Sequence, residues 1–317
     1  MKETMITAIG AVCALAALGP LADRGWAGDM TVEEAGRALD QGPVEALNIS
    51  HELEMGGSHV FGGDTEFSGD SADVSEWAAD LQYVAIFQLG SAAYLRAGLG
   101  YESYWFMGGE GLPVPASLQE LNLVVGADVS LSDHWLMRVE AMPGIYSDFA
   151  DIGWEDFNVP FNIGFTYLVN DRLQWAFGFQ VNFMSDWPVV GGAGMRWQVS
   201  DYWTLNLMVP RPRIEYKASE NLTLFTGCEF RGGSFRVAED FGEGLDREEL
   251  NGALVDYREY RAGAGLSWLA HQGGGLELSV EIQGGVAFDR EFDFHRTSTD
   301  LDSDPAPYAS LGAKAKF

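Results

Sequence analysis

The stretch that decides the fold reads FNVPFNIGFTYLV at residues 157–169 and RLQWAFGFQVNFM at residues 172–184. In both segments every second residue is apolar and mostly large, and the residues between them are mostly small or polar. A two-residue period places one set on each face of an extended strand, whereas a helix would spread both sets around its axis. Residues 275–288 repeat the pattern, with leucine, valine and isoleucine set against glutamate, serine and glutamine. The sequence therefore predicts an all-β fold.

Three properties of these strands favour a membrane barrel over a soluble β-sandwich. The alternating runs are about 9–15 residues long, whereas soluble strands are usually about 5–6. Their apolar faces are rich in Phe, Trp and Tyr, as lipid-facing surfaces and interfacial girdles require. Their polar faces are rich in Gly, Asn, Gln and charged residues, which suits a wet or ion-paired lumen. We expect a transmembrane antiparallel up-and-down β-barrel.

Short and long connections alternate between the predicted strands. Tight turn signals such as Ser132-Asp133, Asn170-Asp171 and Ser200-Asp201 alternate with longer or irregular connections. We place the long connections at 56–77, 108–116, 148–156, 239–255 and 291–304. The resulting strands number about fourteen, with twelve to sixteen compatible with the same turns, and both termini lie on the periplasmic side. They are centred on 45–55, 78–88, 92–106, 117–131, 135–147, 157–169, 172–185, 190–199, 202–209, 212–218, 222–238, 256–270, 275–290 and 306–317.

Gly232-Gly233 interrupts the alternation of the strand at 222–238. Apolar residues face outward through Leu224 and Phe230 before the two glycines. One extra residue in a bulge would then turn Phe235 and Val237 outward after them. We therefore predict a bulge at this point.

The N-terminus has the features of a secretory signal peptide. Lys2 precedes the apolar run of residues 5–22, and Gly25-Trp26-Ala27 supplies small residues at the −3 and −1 positions. We predict a signal peptide at 1–27, a periplasmic segment at 28–44 with a short helix, and an outer-membrane β-barrel at 45–317. The short helix begins with a capping box between Thr31 and Glu34.

The C-terminal residues 306–317 end in Leu311-Gly312-Ala313-Lys314-Ala315-Lys316-Phe317. This ending resembles the terminal signal of bacterial outer-membrane β-barrel proteins, and the resemblance is to porin-like and uncharacterised barrel proteins as a class. The resemblance rests on Gly312 and on the final aromatic Phe317, and it covers the whole mature chain in architecture. It implies that the last strand is recognised by the barrel-assembly machinery. Ala315 is smaller than the hydrophobic residue usual at its position.

Strand parity assigns most charged residues of the predicted strands to the lumen. A charge facing lipid near the bilayer midplane costs several kcal/mol, so the inward assignment is the physically favoured one. The acidic residues on the inward face are Glu52, Glu54, Glu102, Glu120, Asp128, Glu140, Glu215, Glu229, Glu259, Glu277 and Glu281. The basic residues are Arg96, Arg138, Arg196, Arg213, Lys217, Arg231 and Arg261. Two interpretations stay open: an ion-pair network that fills the barrel, and the lining of a cation-preferring pore.

Composition and motifs argue against several function classes. The formal net charge of −28 disfavours nucleic-acid binding, which needs a basic surface. No Gly-rich phosphate loop, GxSxG or HExxH motif occurs, and of the five histidines only His59 and His295 have the context of a barrel-embedded hydrolase. We therefore predict no catalytic residues, no metal site and no cofactor. The predicted partners are outer-membrane lipid, the barrel-assembly machinery and small solutes.

The preferred function is a porin-like channel for small hydrophilic solutes, with cationic solutes included. Eight-stranded barrels are just filled by side chains and barrels of sixteen to eighteen strands hold an aqueous channel, so fourteen strands fit a narrow or gated pore. One alternative is a plugged transporter for hydrophobic molecules that uses residues 28–44 as the plug. The other is a structural or surface-exposed barrel that transports nothing.

Overall fold

The computed structural model describes residues 48–297 and 299–317. The predicted signal peptide at 1–27 and the periplasmic segment at 28–44 lie outside the described residues. Within the described part most residues are in β-strands, and the helices are three single-turn 3-10 helices at Trp154–Asp156, Glu243–Leu245 and Glu248–Leu250. No helix in this part has the length and apolar character of a helical membrane span.

Seventeen strand segments form one antiparallel sheet that closes on itself. They build fourteen wall strands, because three wall strands each consist of two consecutive segments: 135–141 with 144–147, 157–158 with 161–170, and 299–303 with 306–316. The segments are β1 (Ile49–Phe67), β2 (Asp70–Gln88), β3 (Ala93–Gly108), β4 (Ser117–Ser130), β5 (Trp135–Ala141), β6 (Gly144–Ser147), β7 (Phe157–Asn158), β8 (Phe161–Asn170), β9 (Leu173–Val181), β10 (Val189–Gln198), β11 (Trp203–Asn206), β12 (Arg213–Lys217), β13 (Leu222–Arg236), β14 (Leu254–Gly273), β15 (Leu276–Phe294), β16 (Thr299–Ser303) and β17 (Ala306–Lys316).

The first and last wall strands close the barrel. β1 pairs with β2 on one side and with β17 on the other, where Glu52 faces Lys316 and Gly56 faces Gly312. The fold is therefore an all-β, up-and-down barrel of fourteen strands, which confirms the predicted fold class and strand number. Both described ends of the chain lie at one end of the barrel, here called the turn end, together with the short connections 89–92, 131–134, 171–172, 199–202, 218–221 and 274–275. The opposite end is the loop end.

The two-residue period arises because the two faces of the wall meet different environments, lipid outside and the barrel interior inside. On β4, Leu121, Leu123 and Val125 point away from the barrel and are about half exposed, whereas Leu118 and Val124 point inward and are fully buried. Outward positions must match lipid, and inward positions must match the interior. This is the fold of the outer-membrane barrel proteins that the C-terminus resembles.

Two of the predicted loops are strands, and this part of the prediction is wrong. Residues 56–77 lie mostly in β1 and β2, which continue to a two-residue turn at Ser68 and Gly69, both with positive φ. Residues 291–304 lie mostly in β15 and β16, joined by a short turn. Backbone pairing continues beyond the membrane-crossing part of these strands, and Thr65 Oγ1 lies 2.7 Å from Ser303 Oγ across it.

One sector of the wall is much lower than the rest. β11 pairs with β10 only at residues 196–198, and β12 pairs with β13 only at residues 223–227. Above these pairings, the loop-end half of β10 faces the loop-end half of β13, and no described strand lies between them. The wall therefore has a gap in this sector, which segment 182–188 adjoins.

We expect the substitution Phe317→Ser to lower the yield of assembled barrel. Phe317 exchanges backbone hydrogen bonds with His51 at 2.6 and 3.0 Å, and its ring stacks on the His51 ring with centroids 5.2 Å apart. The substitution removes the terminal aromatic while leaving the backbone pairing available. The measurement is the folded fraction in outer-membrane extracts, read from heat-modifiable gel mobility. The matched control is Phe317→Tyr, and equal yields for Ser and wild type would contradict the prediction.

Candidate functional site: the barrel interior

The half of the interior nearer the turn end contains a cavity, here called the lower chamber. Its volume is about 370 Å³. Its turn-end side meets solvent, because Glu54 and Lys314 are each 36% exposed there. Among the described residues, seven acidic and seven basic side chains line it: Glu52, Glu54, Asp80, Glu140, Glu215, Glu229, Glu281, Arg96, Arg138, Arg196, Arg211, Arg213, Arg231 and Lys314.

Arg96 on β3 is the centre of the first ion-pair group in the chamber. Its guanidinium lies 3.2 Å from Glu140, 3.6 Å from Asp128 and 3.7 Å from Glu52. Asp128 also accepts two hydrogen bonds from Arg138, at 2.6 and 3.0 Å, across the β4–β5 pair. Bidentate pairs of this kind hold both side chains in one orientation. This side of the chamber is therefore a fixed charged surface.

A second ion-pair group includes Arg231 of β13 and crosses the interior to β2 and β3. Arg231 Nη2 donates to Glu102 at 2.8 Å and lies 3.6 Å from Asp80, and Arg211 Nε donates to Glu229 at 3.1 Å. The other pairs are Arg196 with Glu215, Arg213 with Glu281, and Lys314 with Glu54. Each of the fourteen charges that line the chamber in the described structure thus has an opposite charge within 4 Å.

A buried charged layer lies on the loop-end side of the chamber. It consists of Glu76, Tyr257, Glu259 and Arg261, and the side chains of Glu76, Glu259 and Arg261 are completely inaccessible to solvent. Arg261 donates to Glu259 through Nε and to Glu76 at 3.3 Å through Nη2, and the Tyr257 hydroxyl donates to Glu76. These contacts connect β2 with β14 across the interior, so the layer blocks the lumen in this conformation.

An apolar cluster fills the interior beyond that layer. Tyr257 belongs to both, and its ring packs against Tyr104, Phe106 and Phe292 with centroids about 5 Å apart. Close packing of this kind leaves no room for water. The buried members of the cluster are Val74, Ala78, Tyr104, Phe106, Leu112, Leu118, Tyr146, Met184, Phe235, Val237, Leu250, Val255, Tyr257, Phe292, Phe294 and Leu301.

Two connections cover the apolar cluster at the loop end. The longer one, residues 237–253, is here called the lid loop, and its Leu250 is fully buried in the cluster. The shorter one, residues 148–156, is joined to it because Asp148 accepts a hydrogen bond from the Ala238 N–H at 2.8 Å. Burial raises the pKa of the Asp148 carboxyl above its ordinary value, although the hydrogen bonds it accepts act in the opposite direction. The loop end is closed by packed chain.

One known protein family matches more than half of the chain. Residues 110–301 match a family described as a domain of unknown function, DUF6268. The chain belongs to the DUF6268 family. No curated protein matches the sequence significantly.

Solved structures similar to this DUF6268 protein include a transporter and an outer-membrane channel. The P. putida toluene transporter TodX is 9% identical, with a TM-score of 0.44 over 89% of this chain and 91% of that one. An outer-membrane channel from Pseudomonas putida F1 is 11% identical, with a TM-score of 0.43 over 88% and 99%. A Pseudomonas aeruginosa FadL homologue is 10% identical, with a TM-score of 0.36 over 94% and 99%. At this identity and overlap, the likeness says nothing about the solute of the DUF6268 protein.

The structure distributes the predicted lumen residues of this DUF6268 barrel over three places. Those that line the lower chamber are Glu52, Glu54, Arg96, Arg138, Glu140, Arg196, Arg213, Glu215, Glu229, Arg231 and Glu281. Asp128 and Glu102 bind the chamber's arginines, and Glu259 and Arg261 belong to the buried charged layer. The others lie apart: Glu120 accepts a hydrogen bond from Asn122, Glu277 accepts one from Gln272 at the turn end, and Lys217 is exposed. Their role in transport stays a prediction.

Several charged residues of the interior were not predicted. Glu76 falls in a segment expected to be a loop, and Arg211 falls in the connection between β11 and β12. Asp80 and Lys314 lie on the inward face of predicted strands, so strand parity was sufficient to find them. Arg290 is buried just beyond Asp289, whose positive φ interrupts the alternation of β15. Parity could not have assigned Arg290.

Proposed function

We propose that this DUF6268 barrel is an outer-membrane channel for small hydrophilic solutes, closed at its loop end in this conformation. The observation that carries the proposal is the lower chamber, a charged cavity that meets solvent at the turn end and stops at the buried charged layer. A barrel that served only as a scaffold would have no need to keep such a cavity free of packed side chains. The proposed channel conducts when the lid loop, the apolar cluster and the buried charged layer beneath them move.

The outward surface supports the location in the outer membrane. Aromatic and aliphatic side chains such as Trp175, Phe177 and Phe179 cover the outward face of β9 and are about 40% exposed. Where neighbouring strands pair, the sheet satisfies the backbone groups within the wall, and this is what allows strands to cross lipid. The predicted signal peptide at 1–27 would bring the chain to that compartment.

The charge balance of the lower chamber supports neutral or zwitterionic polar solutes. Strand parity assigns eleven acidic and seven basic residues to the lumen, but five of those acidic residues and two of the basic ones do not line the chamber. With Asp80, Arg211 and Lys314 added, the chamber holds seven acidic and seven basic side chains among the described residues. Because each charge is paired, the field inside is small, and a strong preference for cations is not expected. Exposed guanidinium and carboxylate edges still offer hydrogen bonds to a polar solute.

A second candidate function is transport of hydrophobic molecules. The apolar cluster favours it, because an interior surface of Tyr104, Phe106 and Phe292 would receive an apolar molecule if the cluster loosened. The two candidates differ in what crosses an opened barrel. Ion current through that barrel supports the hydrophilic channel, whereas uptake of an apolar probe without ion current supports the second candidate.

Shortening the lid loop is expected to open the channel. The Gly252 N–H donates to the Ala238 carbonyl at 2.9 Å, so residues 239–251 can be replaced by an Asn-Gly turn without moving the two ends. The replacement removes Leu250 from the apolar cluster. In planar bilayers we expect near-background current for the wild type and discrete channel steps for the shortened protein.

The matched control keeps the lid loop and changes only its exposed charge, through Glu248→Gln and Glu249→Gln. This variant is expected to stay closed, because neither side chain is part of the apolar cluster. If the shortened barrel folds and still carries no current, the hydrophilic channel is wrong.

A further inference from the structure

Segment 182–188 lies between β9 and β10, next to the gap in the barrel wall. A narrow cleft lies between β10 and β13 here, lined by Gln180 and Tyr257 from the inner face and by Ser234 and Asp256 from the outer face. Trp187 also lines the cleft and is 61% exposed. At this cleft, segment 182–188 separates the interior from the outside of the barrel.

Three hydrogen bonds hold segment 182–188 across this gap. Asn182 Nδ2 donates to Ser234 Oγ at 3.4 Å, Ser185 Oγ donates to Asp256 Oδ2 at 3.2 Å, and the Asp186 N–H donates to the same oxygen at 3.3 Å. Met184 is buried in the apolar cluster on the inner side. The position of the segment therefore depends on Asp256, which belongs to β14 beyond the gap.

His295 lies between two aspartates at this point. It lies in the turn between β15 and β16 and is 8% exposed. Its Nδ1 is 3.2 Å from Asp186 Oδ1, and its Nε2 is 3.2 Å from Asp256 Oδ2. A neutral imidazole has a single N–H, whereas the protonated ring has two donors and can serve both carboxylates. A bridge between Asp186 and Asp256 thus requires protonated His295.

The charges around His295 are mostly negative. Asp186 approaches from segment 182–188 and Asp256 from β14, while Asp293 lies on β15 and is paired in register with Asp300 of β16. The nearest base on β14 is Arg258, whose guanidinium is engaged by Glu291 at 2.9 Å and by Asp293 at 3.5 Å. Arg296, beside His295 in the turn, is exposed.

We propose that Asp186, His295 and Asp256 form a proton-dependent clamp that holds segment 182–188 across the gap in the barrel wall. The clamp closes when His295 is protonated and loosens when His295 is neutral. As a device that governs access to the interior, it rests on the proposed function. As a structural switch, it stands on the geometry of the three side chains alone.

The direction of the pH dependence follows from the surroundings of His295. Burial alone would lower the pKa of the imidazole, but the hydrogen bond and charge of Asp256, with the charges of Asp186 and Asp293, outweigh burial and raise it. A raised pKa in the folded state contributes stability that is fully present below the unfolded pKa of about 6.5. That stability is lost as the pH rises through the folded pKa. The clamp is therefore closed in acid and loosened in alkali.

Release of the clamp would change what faces the membrane. Phe183 and Trp187 are 73% and 61% exposed on segment 182–188, so the segment carries an apolar surface that lipid can accept. Movement of the segment outward would bring this surface further into lipid and withdraw Met184 from the apolar cluster. The gap would then connect the interior with the outer surface of the barrel.

The test is amide hydrogen exchange of the purified barrel in detergent, read by mass spectrometry for segment 182–188. Rates measured at about pH 5.5 and about pH 8.5 are corrected for the intrinsic pH dependence of exchange, and this range brackets the titration of histidine. We expect the corrected exchange of this segment to rise several-fold at the higher pH. The exchange of β4, which is remote from His295, should stay constant.

Two variants identify the group responsible, and both are checked for folding by heat-modifiable mobility. His295→Gln and Asp186→Asn should each remove most of the pH response, and Asp186 is 48% exposed, so its substitution leaves the buried part of the barrel intact. The control His271→Gln changes an exposed histidine at a turn-end hairpin and should retain the response. A response absent from the wild type, or retained in His295→Gln, overturns the clamp. Because exchange does not depend on ion current, the clamp can hold even if the barrel proves not to conduct.

Discussion

Replacing Arg261 with alanine is expected to destabilise the barrel by about 3–5 kcal/mol, the cost of breaking one partner out of a buried ion pair. Arg261 and its partners Glu76 and Glu259 have no exposed surface, so water cannot replace the lost guanidinium. The two carboxylates would be left close together without a counter-charge. The effect is read from urea unfolding of the barrel in lipid vesicles.

A matched set of variants separates charge from packing. The triple change Arg261→Met, Glu76→Gln and Glu259→Gln removes all three charges together, and we expect it to recover most of the lost stability. Arg172→Ala breaks an exposed pair with Asp201, whose side chains are 57% and 77% accessible, and it should cost less than about 1 kcal/mol. If Arg172→Ala and Arg261→Ala lowered the stability by similar amounts, the buried charged layer would stabilise the barrel no more than an exposed ion pair does.

Leu123→Arg is expected to cost about 2–4 kcal/mol, the price of a cation on the lipid face near the bilayer midplane. Leu123 lies in the middle of β4, points outward, and is flanked on the same face by Leu121 and Val125. The measurement is again urea unfolding in lipid vesicles. Leu123→Ala is the control, because it shortens the side chain without adding charge.

Equal stability of Leu123→Arg and Leu123→Ala in lipid would contradict this prediction. It would mean that the outward face of β4 does not meet hydrocarbon. The barrel would then have to be placed differently relative to the membrane, whatever its fold.

The fold was predictable wherever lipid and lumen act on opposite faces of a strand. Their demands impose the two-residue period, and the segments at 157–169 and 172–184 show it clearly enough to fix the strands β8 and β9. The same signal fails above the membrane. Outward residues such as Asp64, Glu66 and Asp73 meet water there, so the period disappears although backbone pairing continues.

The sequence predicts which residues line the inner surface, but it does not predict which of them contact one another. Parity places Arg96, Asp128 and Glu140 on the inward face, yet their contacts depend on which strands become neighbours and on their register. The prediction that Phe235 and Val237 face outward is wrong. The β13–β14 register continues without a shift past Gly232 and Gly233, and both side chains belong to the apolar cluster inside. Apolar residues inside the loop-end half contradict the polar-inside rule on which parity was assigned.

The hairpin formed by β1 and β2 extends beyond the membrane-crossing part of the wall, and this determines what the cell surface presents. β1 and β2 contain 19 residues each, so they extend about 63 Å at about 3.3 Å per residue, while about 9–11 residues suffice to cross a bilayer. In the proposed orientation, roughly half of this hairpin stands outside the cell as paired sheet. Proteases need a flexible segment to cut, and the two-residue tip offers little of one. An antibody raised against this hairpin would therefore recognise a folded epitope, and a linear peptide copied from residues 56–77 would be a poor substitute for it.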